Sequence, residues 1–117
     1  NGSGRTLESE LQATGREIAA TIRQARYLSR MNMEPRTVII DLGKRSFGIE
    51  GQSARDIPPG TAIRIIDPQA GEIRQGEYSI VLRPAGNMTG ATILLSAGRK
   101  AVRIEMDPVT GAVLTRD

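Results

Sequence analysis

From Thr6 to Met33 the chain contains no proline, and Leu7, Leu11, Ile18, Ile22 and Ala25 recur at helical spacing along one narrow stripe. The spacing predicts one long helix. Thr6 is placed to cap its first turn. Glu8 and Glu10 complement the positive end of the helix dipole, and Arg23, Arg26 and Arg30 stand toward the negative end. Pro35 ends the run, because its ring cannot continue a helix and it biases Glu34 away from helical dihedrals. Gly15 is the one weak position, a place for a slight bend.

After Pro35 the period shortens. β-type runs occupy residues 36–42, 46–49, 62–66, 77–83, 91–96, 100–106 and 112–115. Turn formers separate them at Gly43-Lys44, Pro58-Pro59-Gly60, Asp67-Pro68, Pro84-Ala85-Gly86, Ala97-Gly98 and Asp107-Pro108. No crossover helix stands between strands, so the pairing is expected to be antiparallel, as hairpins and a meander. Tyr78, Ile80 and Leu82 alternate with Ser79, Val81 and Arg83, and Val102, Ile104 and Met106 alternate with Arg103 and Glu105. Each strand therefore has one apolar face that needs a cover. Ile18, Ile22, Ala25 and Leu28 in the second half of the helix supply it, while the first half around Leu7 and Leu11 is expected to project, as a helix does when it continues into something longer or forms an interface. The expected class is α+β: a long N-terminal helix packed on an antiparallel β-sheet domain, as a meander or two sheets.

Composition narrows the function. At 117 residues the chain suits one domain with one core, and 38% hydrophobic with 25% charged residues is the balance of a folded domain rather than a disordered tail. One Phe, two Tyr and no Trp leave the core to aliphatic side chains and provide no platform for stacking bases or sugars. Without cysteine there is no disulfide scaffold or thiolate metal site, and without histidine the usual serine-hydrolase and zinc chemistries cannot be assembled. Asn1-Gly2-Ser3-Gly4 reads as a cloning scar, leaving residues 5–34 for the helical part and 35–117 for the β domain. No run of about 20 apolar residues is present to span a bilayer.

Three segments carry a family likeness. They are the helical stretch Ile22-Arg23-Gln24-Ala25-Arg26-Tyr27-Leu28-Ser29-Arg30, with its Ala25-Arg26 pair; the run from Ser79 to Leu95, read as strand, glycine-rich turn and strand; and the closing Asp107-Pro108-Val109-Thr110-Gly111. Together they resemble the GspH/FimT family of type II secretion pseudopilins and related type IV pilins, over nearly the whole chain after Gly4. The pattern departs from the family at Ala85, usually acidic, at Ala91, usually glycine, and at Ala112, often basic. The resemblance implies a precursor held in the bacterial inner membrane by an apolar helix upstream of this chain, trimmed by a prepilin peptidase, and assembled by helix packing in a fibre. The β domain then faces the periplasm, other pseudopilins are the partners, and Leu7, Leu11, Ile18, Ile22 and Ala25 are the candidate subunit-packing surface.

Chemistry offers little else. The carboxylates Asp41, Asp56, Asp67, Glu77, Glu105 and Asp107 fall mostly at turns or on presumed solvent faces, and no pair suggests the spacing of about 5–9 Å that glycosidase chemistry needs. Gly86 and Gly90 read as a hairpin turn, since a strand follows where a phosphate-binding loop would open a helix. Met31, Met33, Met88 and Met106 read as core filler and loop packing, and neither metal nor other cofactor is expected. The basic residues form two clusters, Arg16, Arg23, Arg26 and Arg30 on a helix flank and Arg99, Lys100 and Arg103 near the Gly98 turn. With a net charge of +3 and a pI near 9.9 they suit an acidic partner or DNA, the simpler reading being wet guanidinium heads beside the sheet.

The leading expectation is a non-enzymatic H-type minor pseudopilin supporting export of folded proteins across the outer membrane. The alternative is a FimT-like minor pilin that binds DNA for uptake through Arg23, Arg26, Arg30, Arg99, Lys100 and Arg103; Ala112 and the scarcity of aromatics weigh against it.

Overall fold

A computed structural model describes residues 6–85 and 88–117. Thr6 starts the helix as its spacing predicts: Oγ1 accepts from the Ser9 N–H at 3.0 Å, and Ser9 Oγ donates to the Thr6 carbonyl. Helix α1 runs Leu7–Asn32 and closes on Met33, which adopts the left-handed conformation at φ 55° and donates its N–H to the Ser29 carbonyl. The stop is thus made two residues before Pro35. Despite its length, α1 is too polar to cross a membrane: among the described residues no helix is long and apolar enough to do so.

The strands are β1 Arg36–Asp41, β2 Ser46–Ile49, β3 Arg55–Asp56, β4 Ala62–Asp67, β5 Gly71–Ile73, β6 Glu77–Leu82, β7 Thr92–Ala97, β8 Lys100–Met106 and β9 Val113–Arg116. They form two antiparallel sheets, ordered β3-β2-β1-β6 and β5-β4-β7-β8-β9. The chain is α+β with a pilin-like arrangement of one N-terminal helix on a two-sheet domain. β1-β2-β3 and β7-β8-β9 are plain meanders. β6 returns past the β4–β5 hairpin to pair with β1 from Arg36↔Leu82 to Asp41↔Glu77, and β7 then pairs with β4.

That topology corrects one expectation. Residues 84–90 do not make a hairpin, because β6 and β7 belong to different sheets and take their hydrogen bonds from different neighbours. The segment carries the chain from one sheet to the other; Gly86 lies outside the described residues, as does the 1–4 segment.

The core lies between helix and sheets. Val38, Ile40, Phe47, Ile49, Tyr78, Ile80 and Leu82 line the first sheet, and Ile65, Ile93, Leu95, Val102, Ile104, Met106 and Val113 the second. The Tyr78 hydroxyl ties the two together by donating to the Asp67 carboxylate at 2.5 Å, where Gln69 and Ala70 N–H groups also converge.

A second correction concerns α1. Its first half does not project: Leu11 has no exposed surface, Thr14 and Gly15 are buried, and a Cβ on Gly15 would stand 3.0 Å from Val102 Cγ1. Gly15 is a point of close approach between helix and sheet. Leu7 rests on Gly60 of the loop that Arg45 holds through the Pro58 and Thr61 carbonyls. The stripe Leu11, Ile18, Ile22 and Ala25 is consumed by the chain's own core at 0% exposure, so of the expected subunit-packing residues only Leu7, half exposed, has surface to offer. Apolar surface on the helix lies instead at Tyr27 and Met31, one turn apart, with Met33 beyond them. Met31 and Met33 are therefore not core filler, whereas Met88 and Met106 are buried.

Candidate functional site: an arginine-lined cleft at the end of the helix

The last turns of α1, the end of β6 and the loop before β9 enclose a cleft of about 270 Å³ lined by Arg26, Arg30, Leu82, Arg83, Met88, Val109, Thr110 and Gly111. Helical spacing puts Arg26 and Arg30 one turn apart on the same flank. The opposite wall is built by Asp107, whose carboxylate accepts from the Val109 and Thr110 N–H groups and whose carbonyl accepts from Gly111. Those N–H bonds, Val109's first, hold the Asp107 carboxyl below the usual carboxylate range.

Arg26 joins the two walls. Its Nη2 donates to the Thr110 carbonyl at 3.1 Å, and its guanidinium lies flat on Gly111, where an added Cβ would come within 2.5 Å of Cζ and Nη2. Gly111 also sits at φ 75°, so glycine is required there for its backbone and for its missing side chain. Gly90 plays a similar part, its hydrogen side facing Pro108 so closely that a Cβ would stand 3.0 Å from the ring. That contact sets Gly90 against the 107–111 loop, and Arg83 and Met88 line the cleft with it.

The electrostatics are one-sided. Among the described residues that line the cleft none carries a carboxylate, that of Asp107 being taken up by its own loop's N–H groups. The chain's ion pairs join Arg55 to Glu17, Arg64 and Arg74 to Glu72, Lys100 to Glu8, and Arg103 and Arg116 to Glu105; among the described residues none within 4.0 Å reaches Arg26, Arg30 or Arg83.

The remaining basic residues lie elsewhere. Arg23 is the next flank residue and donates to the Val113 carbonyl at 2.6 Å, a tie between helix and β9. Arg99 and Lys100 sit at the β7–β8 turn, where Lys100 reaches Glu8 in the first turn of α1, roughly 27 Å along the helix from Arg26. Arg103 shares the solvent face of the second sheet with Glu105 and Arg116. The two sequence clusters are therefore not one surface. Arg83, absent from both, completes the first.

Four of the six carboxylates weighed as acid–base groups, Asp107 among them, accept structural hydrogen bonds. Asp41 accepts from Lys44 N–H in the β1–β2 turn, Asp67 from Tyr78 and two backbone N–H groups, and Glu105 from Arg116. Asp56 pairs in β3, and Glu77 is exposed at the start of β6. Compared with family models, with curated proteins and with solved structures, the chain shows no match to any of the three.

Proposed function

We propose that this chain is the helix and β domain of a minor pilin-like subunit, and specifically a structural, non-enzymatic H-type pseudopilin of a type II secretion fibre. The observation that carries the reading is the meeting of the three segments behind the family likeness. Arg26 of the first lies on Gly111 and Thr110 of the third, and Arg83, Met88 and Gly90 of the second close the same joint. Residues 84 and 57 positions apart are then linked by one physical requirement, the seating of a helix end on a loop. A pilin-like α+β arrangement supports it further. In this reading an apolar anchor precedes α1 in the inner membrane, the β domain lies in the periplasm, and neighbouring pseudopilins meet the exposed helix face at Tyr27 and Met31 rather than the buried stripe.

The test is the secreted-protein profile of the source bacterium with the gene deleted and then restored at full length. Exoproteins that accumulate in the periplasm and are released on restoration support the pseudopilin. Unchanged secretion with impaired DNA uptake assigns the chain to the uptake pilin instead.

A further inference from the structure

We infer that the cleft of Arg26, Arg30 and Arg83 is a binding site for a carboxylate carried on a short peptide segment of a partner protein, with an apolar residue beside the charge. The inference stands whether or not the chain belongs to a fibre. Three arginines line one concavity, and among the described residues no carboxylate lies within 4.0 Å of their guanidinium groups. Their mutual repulsion is relieved by an anion seated between them. A planar guanidinium fork matches the two oxygens of a carboxylate, and Arg26 is already fixed by Thr110 and Gly111, which lowers the entropy lost when it donates.

The rest of the lining points to a peptide rather than a bare anion or a nucleic acid. Leu82 and Met88 are almost wholly buried beneath the cleft, while Val109 stands 82% exposed at its rim. An inorganic anion leaves that valine uncovered; an apolar side chain next to the carboxylate covers it. At about 270 Å³ the cleft has room for one or two side chains. Among the described residues no aromatic side chain lines it to stack a base.

The experiment is a titration of the intact chain, followed by backbone amide shifts, with the capped tripeptide Leu-Asp-Leu, its Leu-Asn-Leu counterpart, sodium phosphate, and a short oligothymidylate. The aspartyl peptide is expected to shift Met88, Val109, Thr110 and Gly111 saturably, the asparaginyl peptide not. Arg30→Gln and Arg83→Gln, both at exposed positions, should each weaken binding about two- to fivefold and together remove it, with unchanged urea midpoints. Equal binding of the asparaginyl peptide, indifference to both substitutions, or no shift at all overturns the inference. So does tighter binding of phosphate or oligothymidylate at the same amides, which would make the cleft a phosphate site.

Discussion

Replacing Leu11 by alanine asks whether the first half of α1 belongs to the core. The side chain has no exposed surface. Removing three methylene-sized groups from such a site forfeits about 2.4 kcal/mol of transfer free energy. The cavity left between a helix and a paired sheet adds to it, which places the whole cost at about 3–4 kcal/mol. In a domain of this size each kcal/mol moves the melting temperature by about 4 °C, so a drop of roughly 12–16 °C is expected. Leu7→Ala is the internal control: half exposed on the same stripe, it should cost about 1 kcal/mol or less. Urea unfolding followed by far-ultraviolet circular dichroism gives both numbers, provided the slope with denaturant is unchanged. A Leu11→Ala variant within about 0.5 kcal/mol of the parent, the behaviour of a surface site, would mean that the helix projects and that the packing described here is wrong.

Gly15→Ala should gain up to about 1 kcal/mol of helix propensity yet lose more to the Val102 contact, for a net destabilisation near 1 kcal/mol; in a Val102→Ala background the sign should reverse, read from the same unfolding curves. Tyr78→Phe should cost about 1–2 kcal/mol at neutral pH by removing the bond to Asp67. The Tyr78 hydroxyl, and after it the Ala70 and Gln69 N–H groups, lower the Asp67 pKa. This stabilisation is therefore complete above the unfolded carboxylate value of about 3.9 and fades as pH falls through the folded one. The gap between parent and Tyr78→Phe should narrow on acidification, and a gap constant with pH would refute the assignment.

The helix was legible because its signals are local: Thr6, the stripe and the absence of proline need no knowledge of the rest. Its end was less so, since a methionine at φ 55° carries no sequence mark while Pro35 does. Seven strands announced themselves as β-type runs between turn formers, two of them with clear alternation. β3 and β5, two and three residues long, are too short to show a period, with Ile73 the one apolar residue between them, and they pair on the free edges of β2 and β4. Sheet membership was hidden for the same reason that misread residues 84–90: a strand's sequence gives its faces but not its neighbour. The burial of the first half of α1 was missed because Leu11, Thr14 and Gly15 are too mixed in polarity to look like core, and only the sheet behind them explains the glycine. At the cleft, Arg26 and Arg30 could be found by helical spacing, whereas Arg83 joins them through a β6–β1 pairing that no local pattern encodes.

The tie between Arg26 and the 107–111 loop also has a bearing on biosynthesis. The helix is made well before the loop that seals it, and 84 residues separate the guanidinium from the Thr110 carbonyl that receives it. At 5–20 residues per second, translation leaves the helix without that partner for roughly 4–17 s. Through that interval Ile18, Ile22 and Ala25 have no finished sheet to rest on. A nascent chain of this kind exposes its greasiest helical surface early and hides it late, so its yield should depend on whatever shields α1 until β9 has formed.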